Sequence, residues 1–176
     1  MIVGLTGKSG AGKDTVAKIL CDEFGFTRIA FADKIKAAAR EIFGFSQEQL
    51  HGAEKDKTDP FWGCRPSTVL QLLGVECIRN GFAGTVIGRD VWIKAAMRDM
   101  ETSKSYVFTD VRFTNEAKRL TDIEGKILRI TRHAHVSERA AHVSETAMDG
   151  YHCDEIVNDG SLIDLRNKVH AWLARW

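Results

Sequence analysis

Long apolar runs are missing from this 176-residue chain. None approaches the ~20 residues that a membrane-spanning helix needs, which excludes a helical membrane protein. An excess of one charge is missing too. Lys and Arg number 25 against 24 Asp and Glu, a net charge of +1, and that balance gives no general attraction to nucleic acid or to a membrane surface. Cysteine is sparse and scattered. Cys21, Cys64, Cys77 and Cys153 form no CxxC pair, a pattern of reduced thiols rather than of a disulfide framework or a zinc site. What remains is a globular composition, 44% hydrophobic and 28% charged, of a size for one domain or one domain with a small inserted lid. The opening stretch MIVGLTGKSG reads as a buried strand entering a glycine loop, without a basic n-region or a cleavage site. A cytoplasmic protein is expected.

Along the chain, apolar runs alternate with helical patterns. Strands are predicted at Ile2 to Thr6, Thr27 to Phe31, Tyr106 to Thr109, Lys126 to Thr131 and Glu155 to Val157. Helices are predicted over Lys13 to Phe24, from a cap at Asp33 to Phe43, from Pro66 through Ile78, over Asp90 to Glu101 and over Glu116 to Ile123. Ser161 with Asp164 reads as a capping box that opens a last helix to Trp172. Phe45 to Cys64 is polar and irregular and is expected to be the longest loop. Strands alternating with helices predict an α/β fold, a parallel sheet with helices on both faces. No linker divides residues 1–176, so one domain is expected, with a substrate-binding excursion over about 33–85. Residues 132–150 are polar and carry His133, His135 and His142 in the near-repeat HVSERAA–HVSETAM; they are read as a helical lid. Those histidines lack an HExxH pattern or partner cysteines, and no metal site is expected there.

The most specific signal is GKSGAGKDT, Gly7 to Thr15. Gly7, Gly12 and Lys13 fill a G-x-x-x-x-G-K frame directly after a strand and before a helix. Successive backbone N–H groups must converge on phosphate oxygens, and glycine lets the chain approach closely. The helix that follows turns its positive end to the same anion. Gly7, Gly10, Ala11, Gly12, Lys13, Asp14 and Thr15 are therefore the expected nucleotide-binding set, with Lys13 facing solvent until it reaches the β- and γ-phosphates. Asp14 stands where a Ser or Thr usually helps to hold Mg²⁺, so the metal is expected to rest largely on nucleotide oxygens and water, with Asp14 or Asp110 behind them.

Sites in open parallel sheets form at the carboxyl ends of the strands. The run SYVFTDVR delivers Asp110 and Arg112 to that edge, Asp110 as an indirect magnesium holder and Arg112 facing the phosphoryl group in transfer. FADKIK places Asp33 and Lys34 there as well. Arg65 precedes the helix-opening Pro66, where a guanidinium can fork onto a phosphate, and Gln71 and Glu76 follow on that helix. Arg129, Arg132 and Arg139 are read as arginines of a closing segment that neutralises charge and excludes water.

Taken together, GLTGKSGAGKDT, FADKIK, RPSTVLQLLGVECIRN, DVWIK, VFTDVRFTNEA and VNDGSLIDLRNKV resemble the deoxynucleoside monophosphate kinases of bacteriophages and some bacteria, in the same order and over most of the chain. The GKDT form of the loop is typical of that group. The resemblance implies a P-loop NTPase fold of the nucleoside monophosphate kinase type, and transfer of the γ-phosphoryl group of ATP, with Mg²⁺, to a (deoxy)nucleoside monophosphate. It puts Lys13 and the loop on ATP, and Lys34, Arg65, Gln71 and Glu76 on the monophosphate, joined by Arg129, Arg132 and Arg139. The expected partner is that small molecule, with no nucleic acid or membrane, and the protein acts as a monomer or homodimer. A dephospho-CoA kinase shares GLTG and an NDGSL-like segment but usually has Ser after the loop lysine. A nucleotide-binding switch would need an NKxD segment, to which Asn158-Asp159-Gly160 is the nearest approach.

Overall fold

The computed structural model describes residues 1–133 and 146–176. Arg139, His135, His142, the HVSE near-repeat and most of the expected lid lie outside the described residues. The chain gathers into two compact units: unit 1 is Met1–Ile29 with Met100–Trp176, and unit 2 is Ala30–Asp99. The excursion expected over 33–85 falls in unit 2.

Unit 1 is built on five parallel strands, β1 (Ile2–Thr6), β2 (Thr27–Ile29), β3 (Tyr106–Phe108), β4 (Lys126–Thr131) and β5 (Asp154–Val157). Their order is β2-β3-β1-β4-β5, and every pairing is parallel, with Gly4 opposite both Phe108 and Ile127. Three helices of this unit are α1 (Lys13–Phe24), α6 (Thr114–Thr121) and α7 (Leu162–Leu173). The two-residue period of the strands sorts their side chains between the helices. Val3, Leu5, Leu128 and Ile130 are buried in one cluster with Val16 and Leu20 of α1 and Leu165, Val169 and Trp172 of α7. Gly4, between Val3 and Leu5, meets Ile127, Val111 and Leu120 of α6 instead. Helices therefore cover both faces, as predicted. The capping box that opens α7 is present: Ser161 Oγ accepts from the Asp164 N–H at 3.2 Å, and Asp164 Oδ2 accepts from the Ser161 N–H at 2.9 Å.

In unit 2 the helices are α2 (Phe31–Phe43), α3 (Gln47–His51), α4 (Pro66–Gln71) and α5 (Val91–Met97). Two expectations need correction. Asp33 does not cap α2, which begins two residues earlier on the buried side chain of Phe31, with Ala30 at the cap position. Nor is 45–64 a plain loop. Ser46 and Gln49 form a reciprocal capping box that starts α3, and the buried Phe45 and Leu50 fasten the segment to Ala39 and Val69. Asp59 then accepts from the Phe61 and Trp62 N–H groups, each at 2.9 Å, and from Gln49 Nε2 at 2.7 Å. Pro66 is the first residue of α4, as its fixed φ suggests. Beyond Gln71 the helix widens into π turns over Leu72–Asn80, where the indole N–H of Trp92 donates to the Gly74 carbonyl at 2.7 Å.

Leu128, on β4 beside β1, is fully buried. Leu128→Ala is expected to cost about 2–5 kcal/mol, the lost transfer energy plus the cavity left behind. Urea unfolding should show a lower midpoint with an unchanged slope.

Candidate active site

The loop between β1 and α1 is shaped by close backbone approach. Gly7 has φ 128°, and a Cβ there would stand 2.1 Å from the carbonyl oxygen of Ile130 on β4. Gly12 has φ 108°, and a Cβ there would stand 2.4 Å from Nδ2 of Asn158. Neither place admits a side chain, which is why this sequence has glycine at both. Gly12 is followed at once by α1, with Asp14 in its first turn, where a negative charge suits the helix dipole. Lys13 departs from the expectation that it faces solvent. Its Nζ donates to the carbonyls of Gly7 at 2.7 Å and Lys8 at 2.8 Å.

Above this loop lies a cavity of about 260 Å³. Its wall includes Lys13 from the loop, Asp110 and Arg112 from the end of β3, and Arg129 and Thr131 from β4. β1 lies between β3 and β4, and this is the carboxyl edge at which open parallel sheets bind ligands. Arg112 is set by its own backbone: its N–H and that of Phe113 both donate to Glu116 Oε2, at 2.8 and 3.0 Å, and Glu116 is buried at the start of α6. Arg129 belongs to β4 and not to a closing segment. Its guanidinium donates to the carbonyls of Met148 and Tyr151, so its charge is held at the cavity wall by two fixed acceptors.

Sequence reasoning missed seven residues of this wall, among them four with polar or charged side chains beyond the end of β1. Lys8 and Asp149 form an ion pair at 3.5 Å and both line the cavity, as does Glu155 of β5. The fourth is Thr131, whose Oγ1 is buried without a hydrogen-bond partner among the described residues. A hydroxyl in that condition is costly unless a ligand completes it. The signal was weak because acids and a threonine at strand ends are common for other reasons. Asn158 was passed over as a failed base-reading segment; it is buried, and its amide holds the loop.

The residues expected on the monophosphate lie in unit 2. Asp33 and Lys34 are in the first turn of α2, and Lys34 pairs with Asp99 at 3.8 Å. Arg65 is exposed at the cap position of α4, which ends at Gln71. Glu76 is exposed on the π turns and accepts from Asn80 Nδ2 at 3.1 Å. Arg132 is exposed just beyond β4.

No protein-family model matches the chain. Among curated proteins, it is 31% identical over 168 residues to a protein of Acanthamoeba polyphaga mimivirus named "Putative deoxynucleotide monophosphate kinase", covering 89% of this chain and 86% of that one. Among solved structures, TT1252 of Thermus thermophilus is similar with a TM-score of 0.52 at 19% identity, over 99% of this chain and 97% of that one. A dephospho-CoA kinase of Campylobacter jejuni is similar with a TM-score of 0.48 at 15% identity, over 98% and 96%. The parallel sheet, the glycine loop on Lys13 and the viral relative together define a P-loop kinase of small molecules. The chain belongs to the deoxynucleotide monophosphate kinase family. Among the described residues, no helix is long and apolar enough to cross a membrane.

The exits of β4 and β5 are joined by His133 and Asp159. Asp159 accepts from the His133 N–H at 2.9 Å and pairs through its other oxygen with the ring Nδ1. That hydrogen bond raises the imidazole above its ordinary 6.5 and holds the carboxyl below its ordinary 3.8. The histidine's contribution is complete below pH 6.5 and lost as pH rises through its raised value. The aspartate's is complete above pH 3.8 and lost as pH falls through its lowered value. NMR titration of the His133 ring is expected to give a midpoint above 6.5 that returns toward 6.5 in Asp159→Asn. An unshifted midpoint in the parent protein contradicts the pairing.

Proposed function

We propose that this protein transfers the γ-phosphoryl group of ATP to a (deoxy)nucleoside 5′-monophosphate, giving the diphosphate and ADP. The observation that carries this reading is the 31% identity, over 89% of the chain, to a relative named for deoxynucleotide monophosphates. The cavity supports it. Phosphoryl transfer asks a protein chiefly for positioning and for charge stabilisation, and Lys13, Arg112 and Arg129 line one wall around the loop. A triphosphate on the loop takes over the Lys13 ammonium from the Gly7 and Lys8 carbonyls. Its oxygens meet the N–H groups of the loop and the first turn of α1. Arg112 faces the group in flight, and Arg132 and Arg139 add positive charge.

Magnesium ligands are hard oxygens, commonly one or two carboxylates with substrate phosphates and waters. Asp110 fits that demand at the cavity wall, with Asp14 and Thr15 at the start of α1. Among the described residues no group of three His, Cys, Asp or Glu side chains is arranged to hold a metal alone. Bound there, magnesium would neutralise charge on the phosphates. On the acceptor side, Arg65 takes the monophosphate with a forked guanidinium, Asp33 and Lys34 assist, and Gln71 and Glu76 read the nucleoside. The protein works in the cytoplasm as a monomer or homodimer, within one kinase domain closed by the segment 132–150.

Lys13→Met is expected to lower turnover about 10³-fold, several kcal/mol of transition-state stabilisation. It also removes two hydrogen bonds to the loop carbonyls, so a modest fall in melting temperature should accompany the loss. Near-normal turnover would take the loop out of the mechanism.

ADP formation with a panel of deoxynucleoside and ribonucleoside monophosphates and dephospho-CoA tests the acceptor class. Arg65→Ala should raise the acceptor KM about 10- to 150-fold, matching the roughly 1.5–3 kcal/mol of a hydrogen bond to a charged group. Arg65→Lys should raise it less, with the KM for ATP unchanged in both. Turnover with dephospho-CoA alone would overturn the substrate assignment.

A further inference from the structure

We propose that Asn158 is a positioning residue of the phosphate loop, whose amide fixes the direction in which the Ala11–Gly12 peptide faces. The inference rests on the reading that this loop binds nucleotide phosphates. Asn158 follows β5 and is only 8% exposed. Its side-chain Nδ2 donates to the carbonyl of Ala11 at 2.9 Å across 147 residues of sequence. Its own backbone N–H donates to the Thr131 carbonyl at 2.7 Å. The side chain is thus carried by the ends of two strands of the sheet and reaches into the loop from outside it.

The physical consequence follows from the planarity of the peptide bond. In a trans peptide the carbonyl of one residue and the N–H of the next point in opposite directions. Holding the Ala11 carbonyl on the Asn158 amide leaves the Gly12 N–H on the far side of the same plane. A loop that binds phosphate needs N–H groups turned to the anion, and a carbonyl turned there instead repels it. Glycine at position 12, with φ 108°, imposes little preference of its own between the two orientations. The choice must be made from outside the loop. The absence of a Cβ at Gly12 is also what lets the Asn158 amide come so near, since a Cβ would stand 2.4 Å from Nδ2. The glycine that frees the peptide and the asparagine that fixes it are two halves of one device.

The role requires a donor, which separates it from a space-filling one. An aspartate has nearly the shape of asparagine but, when ionised, only accepts. It would set lone pairs against the Ala11 carbonyl. Alanine removes the donor and leaves a gap. Positioning therefore predicts that Asn158→Asp is the more harmful change, and simple packing predicts that Asn158→Ala is.

The experiment measures the Kd of a fluorescent ATP analogue, the KM of the acceptor at saturating ATP, and the melting temperature for the parent, Asn158→Asp and Asn158→Ala. The expected result is a loss of ATP affinity of about tenfold or more in Asn158→Asp and a smaller loss in Asn158→Ala, with acceptor KM within twofold of the parent in both. Parent-like ATP affinity in Asn158→Asp, or a greater loss in Asn158→Ala, overturns the proposal. Should Asn158→Asp show no melting transition, Asn158→Leu, which fills the space of the side chain without a donor, decides: a fivefold or larger loss of ATP affinity in that folded variant supports the role, and any smaller loss overturns it. Failure of the parent to bind the ATP analogue would instead overturn the reading of the loop, and the proposal with it.

Discussion

The close passage of the β1–α1 loop against its neighbours is the constraint on which the rest of this structure depends. Gly7 runs so near the Ile130 carbonyl, and Gly12 so near the Asn158 amide, that a methyl group at either position would overlap its neighbour. Those approaches exist because β4 lies beside β1 and β5 beside β4, all parallel, with their carboxyl ends on one edge. The loop takes its shape from sequence-distant backbone. Its glycines permit that shape, and Ile130 and Asn158 enforce it. The hydrophobic cluster of α1, α7 and the sheet then holds the strand ends in place, and so links packing in the core to the direction of N–H groups in the loop.

Backbone contacts position charged residues at the same edge. Arg112 is aimed by a buried glutamate that accepts from its N–H, and Arg129 by two carbonyls that take its guanidinium. Lys13 waits on two carbonyls of the loop. Lys8 and Asp149, which also line the cavity, form an exposed ion pair at 3.5 Å, and exposed pairs contribute little.

Unit 2 is held by smaller means. Its cluster of Ala39, Phe45, Leu50 and Val69 is modest, and the segment after α2 is fastened by a capping box and by the turn gathered on Asp59. Within it the indole of Trp92 meets the Gly74 carbonyl, in the stretch where the helix widens into π turns. Such widening is often found at functional positions, and here it falls between Gln71 and Asn80, the stretch that includes Glu76.

Much of the fold was legible in the residues alone. The strands β1 and β4 and the helix α1 lie where apolar periodicity places them, because central parallel strands are buried on both faces and an amphipathic helix shows its stripe directly. The phosphate loop was legible for a related reason: its glycines and lysine answer a local backbone requirement and stand close together in sequence. Where periodicity is short the reading failed, as at α3, with its five residues, and at the start of α2, which Phe31 anchors by burial in place of a cap. Sequence by itself determined the class of fold, the loop and the candidate cations, since each is written in local pattern or composition. Tertiary structure alone decided that Arg129 is pinned on β4, that Lys13 folds back on its own loop, that the Thr131 hydroxyl is buried without a hydrogen-bond partner among the described residues, and that Asn158 holds Ala11. Arg129 and Asn158 depend on partners brought near by the fold and not by the chain, and no spacing along a sequence records which carbonyl a distant side chain will meet.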